Sequence, residues 1–289
     1  MAPQHAARTL DRRLLETVIP EPRASVFAGL VDGVLIINLD DRADRWEQTK
    51  SALAGLIPAD KQHRISAIRG TSLPGFGKPP WFRGRRRDRT WAGRAGVLLS
   101  HRKAIATARK RAWQSVLILE DDVEFDATAG TIMESLATGL ARQPWDICYL
   151  GFTDPKTPFE CVADLDAEHA LWAVSGCNTA HAYLLRDSTF DWLLERLPKQ
   201  EAVWDWLSQH RAIDRWYYRN LSRCFNVLAV SPAIANQRAD ISDITQRMND
   251  GNHVTEVDTA RAVKTGFAWR NTLRHLGWRM AEPRDWLRG

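Results

Sequence analysis

Ser115-Val116-Leu117-Ile118-Leu119-Glu120-Asp121-Asp122-Val123-Glu124-Phe125-Asp126 begins as an unbroken apolar run and stops abruptly at three adjacent carboxylates. A short run of leucine and β-branched residues is the pattern of a strand buried on both faces of a parallel sheet. In an open α/β sheet the carboxyl end of such a strand opens into the ligand crevice. Three like charges gathered there repel one another and raise each other's pKa unless a cation is present. Alternation along a strand puts Glu120 and Asp122 on one side and Asp121 on the other. Two oxygen ligands facing one way suit Mg²⁺ or Mn²⁺, with the other positions left to water or to a diphosphate. A solvated acidic turn is the simpler alternative for the same triplet.

Outward from this strand, helix and strand patterns alternate. Val34 to Leu39 is a second short apolar run that ends in Asp40 and Asp41, and Arg42 to Leu56 follows with helical spacing, so a strand feeding a helix through an aspartate cap opens a βα unit. His63 to Arg69 supplies the next strand. Gly70 to Gly93, rich in Gly, Pro and Arg, is long for a connection and reads as a functional or mobile loop. Arg94 to Trp113 is helical and leads into the acidic strand; Asp126 to Leu140 is helical and Trp145 to Leu150 is a strand. Such alternation predicts an α/β fold with a largely parallel sheet.

Beyond Ala170 the pattern changes. Leu171 to Ser175 and Thr179 to Leu185 read as strands paired around Gly176, helices follow near Ser188 to Leu197 and Glu201 to Asn220, and Phe225 to Val230 is a late strand halted by Pro232. A mixed sheet with an antiparallel edge fits this half. Gly266 to Met280 forms an amphipathic basic helix, suited to packing on the domain and, as an alternative, to peripheral contact with a membrane surface. The expected division is an N-terminal extension over 1–30, one α/β domain over 31–245 and a C-terminal helical extension over 246–289.

The 289 residues are 44% hydrophobic and 26% charged, enough apolar material for a full core. No apolar run approaches the roughly 20 residues that span a bilayer, and Met1 to Ala24 lacks the apolar stretch of a signal peptide; the expectation is a cytoplasmic protein. Cys148, Cys161, Cys177 and Cys224 form no Cys-x-x-Cys pair, which argues against a zinc ribbon or disulfide framework. The net charge of +5 favours acidic partners, although no nucleic-acid partner is expected. Arg83, Arg85, Arg86, Arg87 and Arg89 crowd one segment flanked by Trp81 and Trp91. Arginines for phosphates and aromatics for a sugar ring make Trp81, Arg85 and Trp91 candidate acceptor contacts; a basic surface loop is the plain alternative.

Taken alone, Val116 to Asp122 also resembles the first strand of a response-regulator receiver domain. A receiver carries its acids on the first strand and a phosphorylated Asp after the third, whereas here two βα elements precede the acids and the strand through Leu150 ends in Gly151. A set of segments in order gives a better match. Ile36 to Arg45, Gly96-Val97-Leu98-Leu99-Ser100-His101, Leu117 to Val123, Thr179 to Leu184, Ile213-Asp214 and Gln237 to Ile244 together resemble the motifs of glycosyltransferase family 25, which contains bacterial lipopolysaccharide galactosyltransferases and collagen galactosyltransferases. Val97 stands where that family has Cys, and Asn178 where Gly is common.

The resemblance implies a GT-A-like, Rossmann-type mixed sheet flanked by helices, a UDP-hexose donor such as UDP-galactose, and inverting transfer to a saccharide or glycolipid acceptor. On it, Glu120 and Asp122 hold Mn²⁺ or Mg²⁺ against the diphosphate, and Asp121 meets ribose or sugar hydroxyls. Asn38, Arg42, Arg45, Ser100 and His101 are the further donor contacts, each equally readable as a cap, surface or packing group. Asp214 is the candidate general base, with Asp240 and Asp243 in reserve and His253 as a further metal ligand. The rival from another class is a non-catalytic protein of the same fold that binds polyanions.

Overall fold

A computed structural model describes residues 25–85, 87–239 and 254–262. Residues 1–24 of the expected N-terminal extension, the helix over Gly266 to Met280, and Asp240, Asp243 and His253 lie outside the described residues. A short helix α1 (Val26–Leu30) precedes β1 (Gly33–Asn38), α2 (Ala43–Leu53), β2 (Gln62–Ser66) and the long α3 (Asp88–Lys110). The acidic strand is β3 (Ser115–Glu120), followed by β4 (Val123–Phe125), α4 (Ala129–Leu140), β5 (Ile147–Lys156), β6 (Glu160–Asp164) and β7 (Ala170–Ala173). The remainder is β8 (Gly176–Arg186), α5 (Phe190–Arg196), α6 (Val203–His210), α7 (Ile213–Cys224), β9 (Val227–Ser231) and β10 (Ala235–Gln237).

Eight strands form one mixed sheet in the order β2-β1-β3-β8-β5-β9-β7-β6, while β10 pairs with β4 in a separate ribbon. The α/β class and the Rossmann-type mixed sheet flanked by helices expected from the sequence are present. β1 runs parallel to both β2 and β3, with Ile37 opposite Glu120, so the first strand and the acidic strand end side by side. Side-chain alternation divides the interior in two. Leu35, Ile37, Val116 and Ile118 point into one core with α3, α5, α6 and α7. Val34, Ile36, Leu117 and Leu119 point into the other, against α1, α2 and α4. Among the described residues no helix is long and apolar enough to cross a membrane.

Four expectations are corrected. β7 and β8 do not pair with each other: β8 lies between β3 and β5, antiparallel to both, and β7 pairs with β6 and β9. The antiparallel strand is therefore in the middle of the sheet as well as near its edge. Its burial explains this, because Ala182, Tyr183, Leu184 and Leu185 alternate sides and are all fully buried, which an edge strand cannot achieve. Gly176 sits at φ +141° where a side chain would strike the backbone of Tyr218, and it turns the chain into β8.

The helix expected over Glu201 to Asn220 is broken at Arg211, whose φ of +71° separates α6 from α7. Asp40 and Asp41 do not cap α2. They pair instead with Arg64 at 3.0 Å and Arg69 at 2.6 Å, tying the end of β1 to β2 and to the segment after it. The segment after Gly70 is anchored: Leu73 and Phe82 are buried, Trp204 Nε1 donates to the Pro74 carbonyl at 2.7 Å, and α3 begins at Asp88, earlier than the sequence suggested.

Candidate active site

The carboxyl ends of β1 and β3 open into a cleft of about 500 Å³, within the usual range for a small-molecule site. Its walls include Arg45 from α2, the segment Ala67 to Thr71, one face of α3, Gln237 of β10, and all three acids. The three carboxylates have three different environments, set by the alternation at the strand end.

Asp121 points toward α2. Its Oδ2 accepts from Asn38 Nδ2 at 2.7 Å, its Oδ1 accepts from Arg45 Nη1 at 3.2 Å, and its carbonyl accepts from Thr49 Oγ1 at 2.8 Å. Burial raises its pKa above the ordinary value, against the lowering effect of Asn38 and Arg45. Asn38 is fully buried and accepts in turn from Arg64 Nε at 2.7 Å, so it orients Asp121 from behind and is not part of the cleft wall.

Glu120 points the other way, toward α3. Its Oε1 lies 3.2 Å from His101 Nε2, and His101 Nδ1 lies 2.7 Å from the Tyr183 hydroxyl on β8. Burial pushes the Glu120 carboxyl up, but the hydrogen bond and charge of His101, with His181 and Arg45 nearby, outweigh it and hold the group below the ordinary value. Tyr183 is forced well above its usual value by burial and stays protonated.

Asp122 is the least compensated. Its side chain meets Gln237, yet its Oδ1 is buried with no hydrogen-bond partner among the described residues. Burial and then the Glu120 charge push its pKa up to about 7. A carboxylate kept this close to a second one and this poorly satisfied is an arrangement found at functional sites.

The α3 wall explains a motif. A side chain on Gly96 would come within 2.3 Å of the Ile68 carbonyl, and one on Gly70 within 1.6 Å of the Ala92 carbonyl, so both glycines are needed for the helix and the segment after β2 to touch. Ser100 Oγ donates to the Gly96 carbonyl at 2.7 Å and accepts from Ile68 N at 2.8 Å, stitching the same contact. Gly96, Ser100 and His101 thus build one wall: two fix its backbone and the third reaches the acid.

Arg42 pairs with Asp44 at 2.9 Å and lies outside the cleft wall. Asp214 also lies outside it. Its carboxylate accepts from Thr179 N at 3.1 Å and Arg215 N at 2.7 Å, at the start of α7. Thr179 has a φ of +57°, a strained conformation for a β-branched residue, and it is two positions from His181 on β8. Trp81, Arg85 and Trp91 come together in a separate recess. Wall residues that were not singled out from the sequence include Arg69, Thr71 and Phe76, while Arg89 and Gln237 were noted only as parts of the arginine cluster and of the last motif. The signal available was the Gly93 and Gly96 spacing, which leaves one helical face bare.

Neither a protein-family model nor a curated protein matches the chain. Among solved structures, the crystal structure of mannose-1-phosphate geranyltransferase from Thermus thermophilus is similar at 17% identity with a TM-score of 0.34, over 68% of this chain and 72% of that one. The crystal structure of A197 from STIV is similar at 11% identity with a TM-score of 0.35, over 78% of this chain and 98% of that one. Both likenesses are too distant to transfer a role to any residue.

Proposed function

We propose that the protein is a glycosyltransferase that moves a hexose from a nucleotide-sugar donor to a hydroxyl of a saccharide or glycolipid acceptor. The observation that carries this is the strand-end cleft, where Glu120 and Asp121 are each held by dedicated partners while Asp122 keeps a buried oxygen unpartnered among the described residues. The motif resemblance narrows the donor to a UDP-hexose such as UDP-galactose, the acceptor to a molecule of the lipopolysaccharide kind, and the fold to a GT-A-like one.

Glu120 and Asp122 supply two oxygen donors, and among the described residues no group of three His, Cys, Asp or Glu side chains converges as a metal cage. Two carboxylates with the other positions left to water and phosphate fit Mn²⁺ or Mg²⁺. When bound, the cation would neutralise charge growing on the departing diphosphate. Arg45 and Arg69 line the same cleft and would bind phosphate or sugar oxygens. His101, fixed by Tyr183, holds Glu120 ionised in its working orientation.

In an inverting transfer the acceptor oxygen bonds to the anomeric carbon as the bond to the diphosphate breaks, and the hydroxyl proton goes to a base. Asp214 takes that role in this proposal. A protein that only bound polyanions would gain nothing from two adjacent, mutually repelling acids at the bottom of a cleft.

Screening UDP-, GDP- and CMP-sugars for hydrolysis with and without Mn²⁺, beside Asp122→Ala, tests the proposal. Expected is Mn²⁺-dependent hydrolysis of a UDP-hexose, reduced about 100-fold or more by the substitution. Metal-independent turnover that survives Asp122→Ala would overturn it.

A further inference from the structure

The first turn of α3 separates two concavities. Arg89 faces the cleft, whereas Asp88 and Trp91 line a second recess of about 320 Å³ between the helix start and the chain before it. That chain is built into place. The backbone N–H groups of Arg83 and Arg85 donate to Asp88 Oδ2 at 3.2 and 2.9 Å, and Asp88 N donates back to the Arg85 carbonyl at 2.9 Å. Phe82 turns inward and is buried, with ring centroids 5.1 Å from Phe76 and 4.7 Å from Trp204. Its neighbour Trp81 turns outward and is 40% exposed.

The charge at this recess is unbalanced. Arg83, Arg85 and Arg87 line the recess, and among the described residues none of their guanidinium groups has an acidic partner. The carboxylate that lines the recess, Asp88, has one oxygen committed to the two backbone N–H groups. Three unpaired guanidinium groups with two indole rings are complementary to an anion carried on a flat apolar face. Guanidinium matches phosphate through paired N–H donors, and indole packs on the C–H face of a sugar ring.

We propose that this recess binds a phosphate-bearing saccharide and serves as the acceptor subsite. Trp81 and Trp91 receive the sugar ring, and Arg83, Arg85 and Arg87 hold the phosphate. Its role as an acceptor subsite rests on the transferase function proposed above; the ligand class rests on the recess alone.

Calorimetric titration of the full chain with glucose 6-phosphate, glucose, glucuronate and inorganic phosphate tests it without requiring turnover. Glucose 6-phosphate is expected to bind at least tenfold more tightly than the other three, and to weaken at least tenfold in the R83Q/R85Q/R87Q variant and in Trp81→Ala. Trp81→Phe, which keeps an aromatic face, is expected to recover most of the loss, which separates ring packing from misfolding. Saturating UDP with Mn²⁺ is expected to leave probe binding in place. Displacement of the probe by UDP would assign it to the main cleft and overturn the proposal, as would equal binding of glucose, glucuronate or inorganic phosphate, or an unaffected triple variant. Probe binding at the recess in a protein that hydrolyses no nucleotide sugar would sink the transferase function and leave the anion site standing.

Discussion

Asn38 Nδ2 donates to Asp121 Oδ2 at 2.7 Å, joining the ends of two adjacent parallel strands through a pair of buried side chains. Asn38 is itself held by Arg64, and Asp121 by Arg45, so one carboxylate is fixed from two directions before any ligand arrives. Preorganisation of this kind removes ordering costs from the bound state.

Arg45→Met should expose how much that arrangement depends on charge. It keeps the apolar stem but leaves Asp121 buried with Asn38 as its remaining side-chain partner, and removing one partner of a buried pair is strongly destabilising. A loss of about 2 to 4 kcal/mol in urea denaturation at pH 7 is expected. A change below about 0.5 kcal/mol, typical of surface pairs, would mean that Asp121 is solvated.

Asp122→Asn should make the protein more stable at pH 8 while abolishing turnover. The Asp122 pKa is raised to about 7 in the folded state by burial and the neighbouring Glu120. A raised carboxyl favours folding while protonated, so its contribution is intact in acid and is lost as pH rises from about 4 through 7. The variant should therefore gain on the order of 2 to 4 kcal/mol at pH 8 and little at pH 4. Saturating Mn²⁺ should stabilise the wild type and not the variant, read as a shift in melting temperature.

His101→Ala should raise the pKa of Glu120. His101 holds the Glu120 carboxyl below its ordinary value against the opposing effect of burial, so its removal lets that pKa rise, read by NMR titration of the carboxyl in the metal-free protein. Tyr183→Phe, one step further back, should shift it less and cost about 1 to 3 kcal/mol of stability for the polar group left unpaired. A Glu120 titration that stays in place in His101→Ala would show that His101 does not hold the carboxyl ionised.

Gly96→Ala should be disproportionately harmful for a helical glycine. In an ordinary exposed helix the exchange stabilises by close to 1 kcal/mol, but here the new methyl group would lie 2.3 Å from the Ile68 carbonyl. Separation of α3 from the Ala67 to Thr71 segment should cost roughly 1 to 3 kcal/mol and weaken nucleotide binding together with stability. A gain in stability would show that the two segments are not in contact.

The sequence signals that were legible were local ones. Unbroken apolar runs with abrupt chemistry at their ends identified β1 and β3, and alternation correctly sent Glu120 and Asp121 to opposite sides, as their contacts with His101 and with Arg45 show. Pairing across long separations was not legible. Gly176 between two apolar runs reads as a hairpin, yet the runs part company because β8 is apolar on both faces and needs two neighbours, which β7 could not supply. The site was partly visible for the same reason. Glu120, Asp121 and Asp122 announce themselves, whereas Asn38, expected to meet the donor, instead holds Asp121, a partner 83 residues away, and Arg69 reaches the cleft from a segment with no pattern of its own. Phe82 was hidden in an arginine-rich stretch that charge alone would assign to solvent; one aromatic residue turned inward makes it part of the fold.

The position of β8 governs the order in which the molecule can be completed. When synthesis has reached β7, the β2-β1-β3 and β5 portions of the sheet exist as separate pieces, and the strand that joins them, Gly176–Arg186, has yet to be made. Until it arrives, β3 and β5 each present an open, apolar edge of the kind that recruits other chains. A fragment ending before Gly176 should therefore aggregate, and the acidic cleft, whose Glu120 is steadied by a histidine bound to Tyr183 of that late strand, should be among the last features of the nascent protein to take shape.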